Sequence, residues 1–160
     1  MEMSSFDLAI PVVLRREGGY TWDSADPGGE TNFGISKRSY PNLDIKNLTS
    51  AAASAIYKAD WWDKYGYGRI LAQSIATKIF DTAVNMGATM AHKVAQQATG
   101  VTVDGQLGPE SIKALNDAVE PLLLHKLQDL QALHYRNIVA ANPERGKFLN
   151  GWLNRAYDRV

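Results

Sequence analysis

The sequence predicts a mainly α-helical protein of about six to eight helices, on three observations. Apolar residues recur at helical spacing in several separate segments. No strand-length run alternates apolar with polar residues. Glycine or proline stands where each periodic segment stops. The 160 residues fit one domain, 1–160, and can bury a core without metal or disulfide staples, which suits a chain that has no cysteine.

Each element follows from its residues. Phe6, Ile10, Val13 and Leu14 fall at i, i+4, i+7 and i+8 and predict a first helix capped by Ser4 or Ser5. Pro11 removes a backbone donor within it and predicts a kink or a late start. Arg15 and Arg16 fill its last turn, and Gly18-Gly19 end it. Residues 20–35 read as irregular extended chain turning at Asp26-Pro27-Gly28-Gly29, with at most a short hairpin. One helical turn is expected over 36–40. Thr49 caps an alanine-rich helix expected to reach Trp62. Tyr57, Trp61, Trp62 and Tyr65 then form a dense aromatic group, which reads as core or as a platform for sugar rings.

Leu71, Ile75, Ile79 and Met86 line one face of a helix over 70–86, stopped by Gly87. Asp81 and Asn85 sit one turn apart on another face, at a polar cleft or an ordinary solvated edge. A short helix over 88–99 ends at Gly100. The loop 101–109 carries the turn formers Asp104-Gly105 and Gly108-Pro109, and Pro109 opens a helix to about residue 119. From Pro121 a long helix runs to about 141 with Leu123, Leu127, Leu130 and Leu133 as its apolar stripe. Pro143 separates it from a last helix near 145–159 that bears Phe148, Trp152 and Tyr157.

Composition narrows the chemistry. Seventeen Lys and Arg balance seventeen Asp and Glu, so nothing points to nucleic acid or an anionic membrane as partner. No apolar run approaches a membrane span, and Met1 to Ser5 lacks the basic start of a signal peptide. His92, His125 and His134 have no metal-ligand spacing, and Asp23 to Asn32 does not follow the EF-hand order, so neither metal nor cofactor is expected. Gly29 to Gly34 has phosphate-loop glycine spacing, but Ile35-Ser36 follows where Lys-Ser/Thr is needed. No G-x-S-x-G elbow is present.

Carboxylate chemistry remains. Glu17 follows Leu14 by three residues and Val13 by four, so it extends the apolar face of the first helix to the edge of the interior. Partial desolvation and the negative end of the helix dipole favour its protonated form, and nearby arginines oppose them. A general acid needs such a setting, and Asp26 is its obvious second carboxylate; a plain solvated helix end has the same local pattern.

The run Glu17-Gly18-Gly19-Tyr20, then Asp26-Pro27-Gly28-Gly29-Glu30-Thr31-Asn32-Phe33-Gly34-Ile35, resembles the signature of glycoside hydrolase family 108, lysozyme-like N-acetylmuramidases. Asp81-Thr82-Ala83-Val84-Asn85-Met86-Gly87 resembles the family's second block. Asp104-Gly105-Gln106-Leu107-Gly108-Pro109-Glu110-Ser111 resembles a peptidoglycan-binding segment. The resemblance implies a lysozyme-like α+β fold with a catalytic part at 5–90 and a helical peptidoglycan-binding lobe at 91–160. It implies cleavage of the β-1,4 bond between N-acetylmuramic acid and N-acetylglucosamine, with Glu17 as acid, Asp26 orienting water or stabilising positive charge, and Thr31 holding that water. Tyr20, Asn32, Asp81 and Asn85 are the substrate-binding residues it implies. A lytic transglycosylase and a non-catalytic wall-binding module are the competing readings, and the 104–111 segment reads equally as a plain helix connector. The expected setting is a monomer made in the cytoplasm of a bacterium or phage-infected host. It would act as an endolysin-type enzyme on peptidoglycan in the periplasm, with a holin or secretion system giving access to the wall.

Overall fold

The computed structural model describes residues 3–25 and 29–160. It is a mainly α, lysozyme-like fold built around one central helix. That helix, α3 (Gln73–Met86), packs against α1 (Phe6–Arg16), α4 (Ala88–Thr99) and α6 (Glu120–Ala141). Because it has neighbours on most sides, its polar residues are buried with its apolar ones: Thr77, Lys78, Asp81 and Thr82 lie inside beside Ile75, Ile79 and Phe80. The solvated-edge alternative for Asp81 is therefore excluded, and the single apolar stripe understated the helix.

α1 is helical from Phe6 to Arg16 with Pro11 inside it on the exposed side, so the proline does not delay the start of the helix. Ser5 is its N-cap but contributes no side-chain bond. Gln73 of α3 serves instead: its Oε1 accepts from Ser5 N at 2.7 Å and its Nε2 donates to Ser5 O at 3.1 Å.

The 20–35 region holds more strand than a hairpin. β1 (Thr21–Trp22), β2 (Glu30–Asn32) and β3 (Ile35–Ser36) form a small antiparallel sheet in that order. Phe33 and Gly34 join β2 to β3 with φ of 51° and 77°, the two left-handed residues of a tight primed turn. Phe33 has no glycine freedom, so the conformation is held from outside: its N–H donates to Gly18 O at 3.1 Å and its carbonyl accepts from Tyr57 Oη at 2.7 Å.

α2 (Ser50–Tyr57) is capped as expected, Thr49 Oγ1 accepting from Ala52 N at 3.1 Å. It does not reach Trp62 as an α-helix. A π-turn over Lys58–Asp63 takes its place and separates the two tryptophans: Trp62 enters the core, and Trp61 stays half-exposed. Tyr57 and Trp62 are buried, as the core reading expects, whereas Trp61 and Tyr65 stay half-exposed.

Gly87, with φ of 92°, is the joint between α3 and α4. Its N–H closes α3 on Ala83 O at 2.9 Å, and its carbonyl opens α4 by accepting from Ala91 N at 3.1 Å. α5 (Pro109–Asp117) begins at the predicted proline. In α6 the predicted stripe fails in its second half. Leu133 is 50% exposed, while Gln131, Ala132 and Tyr135 turn inward because the facing surface of α3 is polar there. The last predicted helix is a 3-10 turn over Pro143–Phe148 followed by α7 (Leu149–Tyr157), which packs on α6 through stacked Tyr135 and Trp152 rings 5.2 Å apart. One core cluster runs from Ala9 to Leu127 across both halves of the chain, and a smaller one around Ala132, Tyr135 and Ala156 seats α7. No helix among the described residues is long and apolar enough to cross a membrane.

Candidate active site

Glu17 is the C-cap of α1. Its N–H completes the helix on Val13 O at 3.0 Å, and its side chain projects toward the β2–β3 turn, one-fifth exposed. The apolar stripe of α1 sets this position: Val13 and Ile10 anchor the helix in the core, and the carboxylate emerges where the core ends. A Cβ at Gly34 would meet Glu17 Oε2 at 2.6 Å and Tyr57 Oη at 2.6 Å. The turn, the carboxylate and the tyrosine hydroxyl thus share one confined spot, which the glycine leaves open.

The partner of Glu17 comes from the far end of the chain. Arg155 on α7 donates from one guanidinium nitrogen, Nη2, to Glu17 Oε1 at 3.0 Å and to Asp81 Oδ1 at 2.8 Å, and from Nε to Asp81 Oδ2 at 3.2 Å. Asp81 is only 2% exposed, so it lies behind the arginine, whereas Glu17 faces the opening. Burial and the two carboxylates act in opposite directions on Arg155, and its charge is retained. Lys78, also buried, holds the end of α7 by donating to Ala156 O at 2.6 Å and Arg155 O at 3.3 Å. Burial disfavours its charge and pushes its pKa down to about 8.

Arg15 and Arg16, the arginines nearest in sequence, are not the ones that meet Glu17. Arg16 pairs with Asp158. Arg155 and Lys78 carried no local sequence signal, and Tyr57 stood out only as a member of the aromatic group, because each acts through a contact with residues distant in the chain.

The remaining expected residues fall into distinct places. Thr31 is half-buried in the middle of β2, opposite Thr21 and Ser36. Tyr20 is exposed and donates to Glu30 Oε1 at 3.1 Å. Asn32 is buried, and its amide nitrogen donates to the carbonyls of Ile45 at 3.1 Å and Leu48 at 3.4 Å, so it secures the 45–48 loop under the sheet. Asn85 is half-buried and accepts from the hydroxyl of Tyr135, which in turn accepts from Gln131 Nε2 at 2.9 Å. Asp26 lies outside the described residues. No group of three or more metal-ligating side chains occurs among the described residues.

Residues 10–87 match the family described as Glycosyl hydrolase 108, and residues 87–157 match the one described as Predicted Peptidoglycan domain. The two matches meet at the Gly87 joint. Among solved structures, the chain is similar to the one titled "Structure of Brucella abortus SagA". Identity is 26%, with 94% of this chain and 88% of that chain covered and a TM-score of 0.77. A search of the curated proteins finds no match.

Proposed function

We propose that this chain, a glycosyl hydrolase 108 segment joined at Gly87 to a predicted peptidoglycan domain, is an N-acetylmuramidase. It cuts the β-1,4 bond between N-acetylmuramic acid and N-acetylglucosamine, with Glu17 as the general acid. The two matches support a peptidoglycan hydrolase. The observation that carries the residue assignment is the Glu17–Arg155–Asp81 constellation.

One guanidinium faces two carboxylates there. The Arg155–Asp81 fork is the buried part, and Glu17 is the member open to a substrate. A protonated Glu17 delivers its proton to the glycosidic oxygen as the bond to the anomeric carbon breaks, and the leaving sugar departs as an alcohol. Positive charge then develops on the anomeric carbon and ring oxygen. In this reading Asp26 stabilises that charge or orients the attacking water, and Thr31 helps to hold the water. After the proton is delivered, the carboxylate of Glu17 has Arg155 3.0 Å away to stabilise it. Tyr57 and the Phe33-Gly34 turn keep the carboxylate from swinging away from the bond. In this reading Tyr20 and Asn85 are substrate contacts. Asn32 and Asp81 act from behind, by securing the loop and the arginine.

Mass spectrometry of purified peptidoglycan digested by the parent chain and by Glu17→Gln tests this. Reducing muramic acid ends from the parent alone are expected. Anhydro-muramic products would make it a lytic transglycosylase, and no products from either protein would leave a wall-binding module.

A further inference from the structure

A groove of about 400 Å³ lies where the two matched segments meet. Lys64, Tyr65 and Arg69 line it from the first, and Thr89, Gln106 and Gly108 from the second. It continues, across Lys64 and Tyr65, into a wider groove of about 540 Å³ along Tyr40 and Trp61. The Trp61 ring packs 5.2 Å from Tyr57, and the Tyr57 hydroxyl stands beside Glu17 at the Gly34 turn. The half-exposed faces of Trp61 and Tyr65 in these grooves are thus linked to the neighbourhood of Glu17 through the buried Tyr57 ring.

The floor of the junction groove is built to a degree that a simple connector does not need. Gln96, 1% exposed, acts as a template for the 104–106 loop: its Oε1 accepts from the backbone of Asp104 at 3.0 Å and Gly105 at 2.9 Å. Its Nε2 donates to Gln106 O at 2.9 Å. His92 donates from Nδ1 to Gly105 O at 2.9 Å, which leaves Nε2 to accept from Tyr67 Oη at 2.9 Å; burial favours this neutral form. Arg69 reaches from the other segment to Leu107 O at 2.8 Å and also donates to the carbonyls of Tyr65 and Gly66. A fully satisfied polar network of this kind fixes one loop shape.

The charge on the groove has one sign. Lys64 and Arg69 line it and no carboxylate does. Arg69 is committed to carbonyls, but the Lys64 ammonium rests 5.3 Å over the Tyr65 ring with no carboxylate within ion-pair distance among the described residues. Of the acids near it in sequence, Asp63 pairs with Lys58 at 2.7 Å, and Asp60, which lines the adjoining wider groove, accepts from the Tyr40 hydroxyl and not from Lys64. A cation left in this state beside a rigid polar loop suits an anionic ligand.

We propose that this junction groove is a subsite for the peptide stem of peptidoglycan, with Lys64 meeting a stem carboxylate while the glycan strand lies along Trp61 toward Glu17. The assignment rests on the peptidoglycan reading above. It adds that the chain recognises the stem as well as the sugar, and that neither matched segment forms the stem site alone.

The test reads binding, so it is independent of catalysis. The full chain carrying Glu17→Gln is co-sedimented with intact peptidoglycan and with the same glycan strands stripped of stems by an amidase, with Lys64→Glu and Lys64→Arg added to that background. Tighter binding to the stem-bearing material by about fivefold is expected, the size of one partly exposed ion pair. Lys64→Glu should abolish the difference and Lys64→Arg should keep it. Equal binding of both materials by the parent, or a preference unchanged by Lys64→Glu, overturns the stem site whatever the product analysis says about hydrolysis.

Discussion

Gly34 lies directly against Glu17: a single added methyl group at position 34 would stand 2.6 Å from the Glu17 carboxylate oxygen. Its φ of 77° is also one that side chains rarely adopt. Gly34→Ala should therefore lower stability by about 1–2 kcal/mol and force the carboxylate to move. Hydrolysis should fall by about tenfold or more, beyond what the stability loss explains. Thermal unfolding and release of reducing ends, measured on one preparation, check both. Full activity in Gly34→Ala would show that the carboxylate need not occupy this spot.

Arg155 is the only cation that Asp81 meets in an ion pair among the described residues. Arg155→Met leaves a carboxylate that is 2% exposed without its counter-charge, and this should cost about 3–5 kcal/mol in urea unfolding. Adding Asp81→Asn to the same chain should recover much of the loss, because the stranded charge is gone. If Arg155→Met is as stable as the parent, the ion pair does not hold α7 in place.

Lys78 gives the fold a pH signature. Its pKa is pushed down to about 8, chiefly by burial; Arg155 and Arg16 reinforce that shift, and Asp81 and Asp158 oppose it. Above pH 8 the folded chain therefore binds fewer protons than the unfolded chain, whose lysine titrates near 10.5. Stability should rise from about pH 8 to about pH 10. There the trend reverses, because unfolded tyrosines begin to ionise while burial keeps Tyr57 and Tyr67 protonated. Melting temperatures across pH 7 to 10 should show the rise in the parent and lose it in Lys78→Met. A flat parent profile contradicts the assignment.

Much of this architecture was legible from spacing and punctuation. Thr49, Gly87, Gly100 and Pro109 mark helix ends where the structure has them, and the stripe on α1 delivers Glu17 to the margin of the core. The misreadings have a common cause. Asp81, Gln131 and Tyr135 are polar yet inside, because α3 is enclosed and its polar surface is matched by polar surface on α6 and α7. Periodicity sorts residues by hydrophobicity and so places such residues outside. The π-turn at Lys58–Asp63 likewise has no hydrophobic period that separates it from the helix before it. Of the Glu17–Arg155–Asp81 constellation, Glu17 and Asp81 stand in motifs that single them out, and Arg155 does not, since nothing near it signals a partner 138 positions away.

That separation has a consequence for how the molecule is made. Glu17 leaves the ribosome 138 residues before Arg155, so a nascent chain that already holds every residue of the hydrolase-matching half still lacks the group that steadies its glutamate. Synthesis itself thus keeps the two halves of the site apart until α7 has been made, and a fragment released before that point would carry an unsteadied carboxylate.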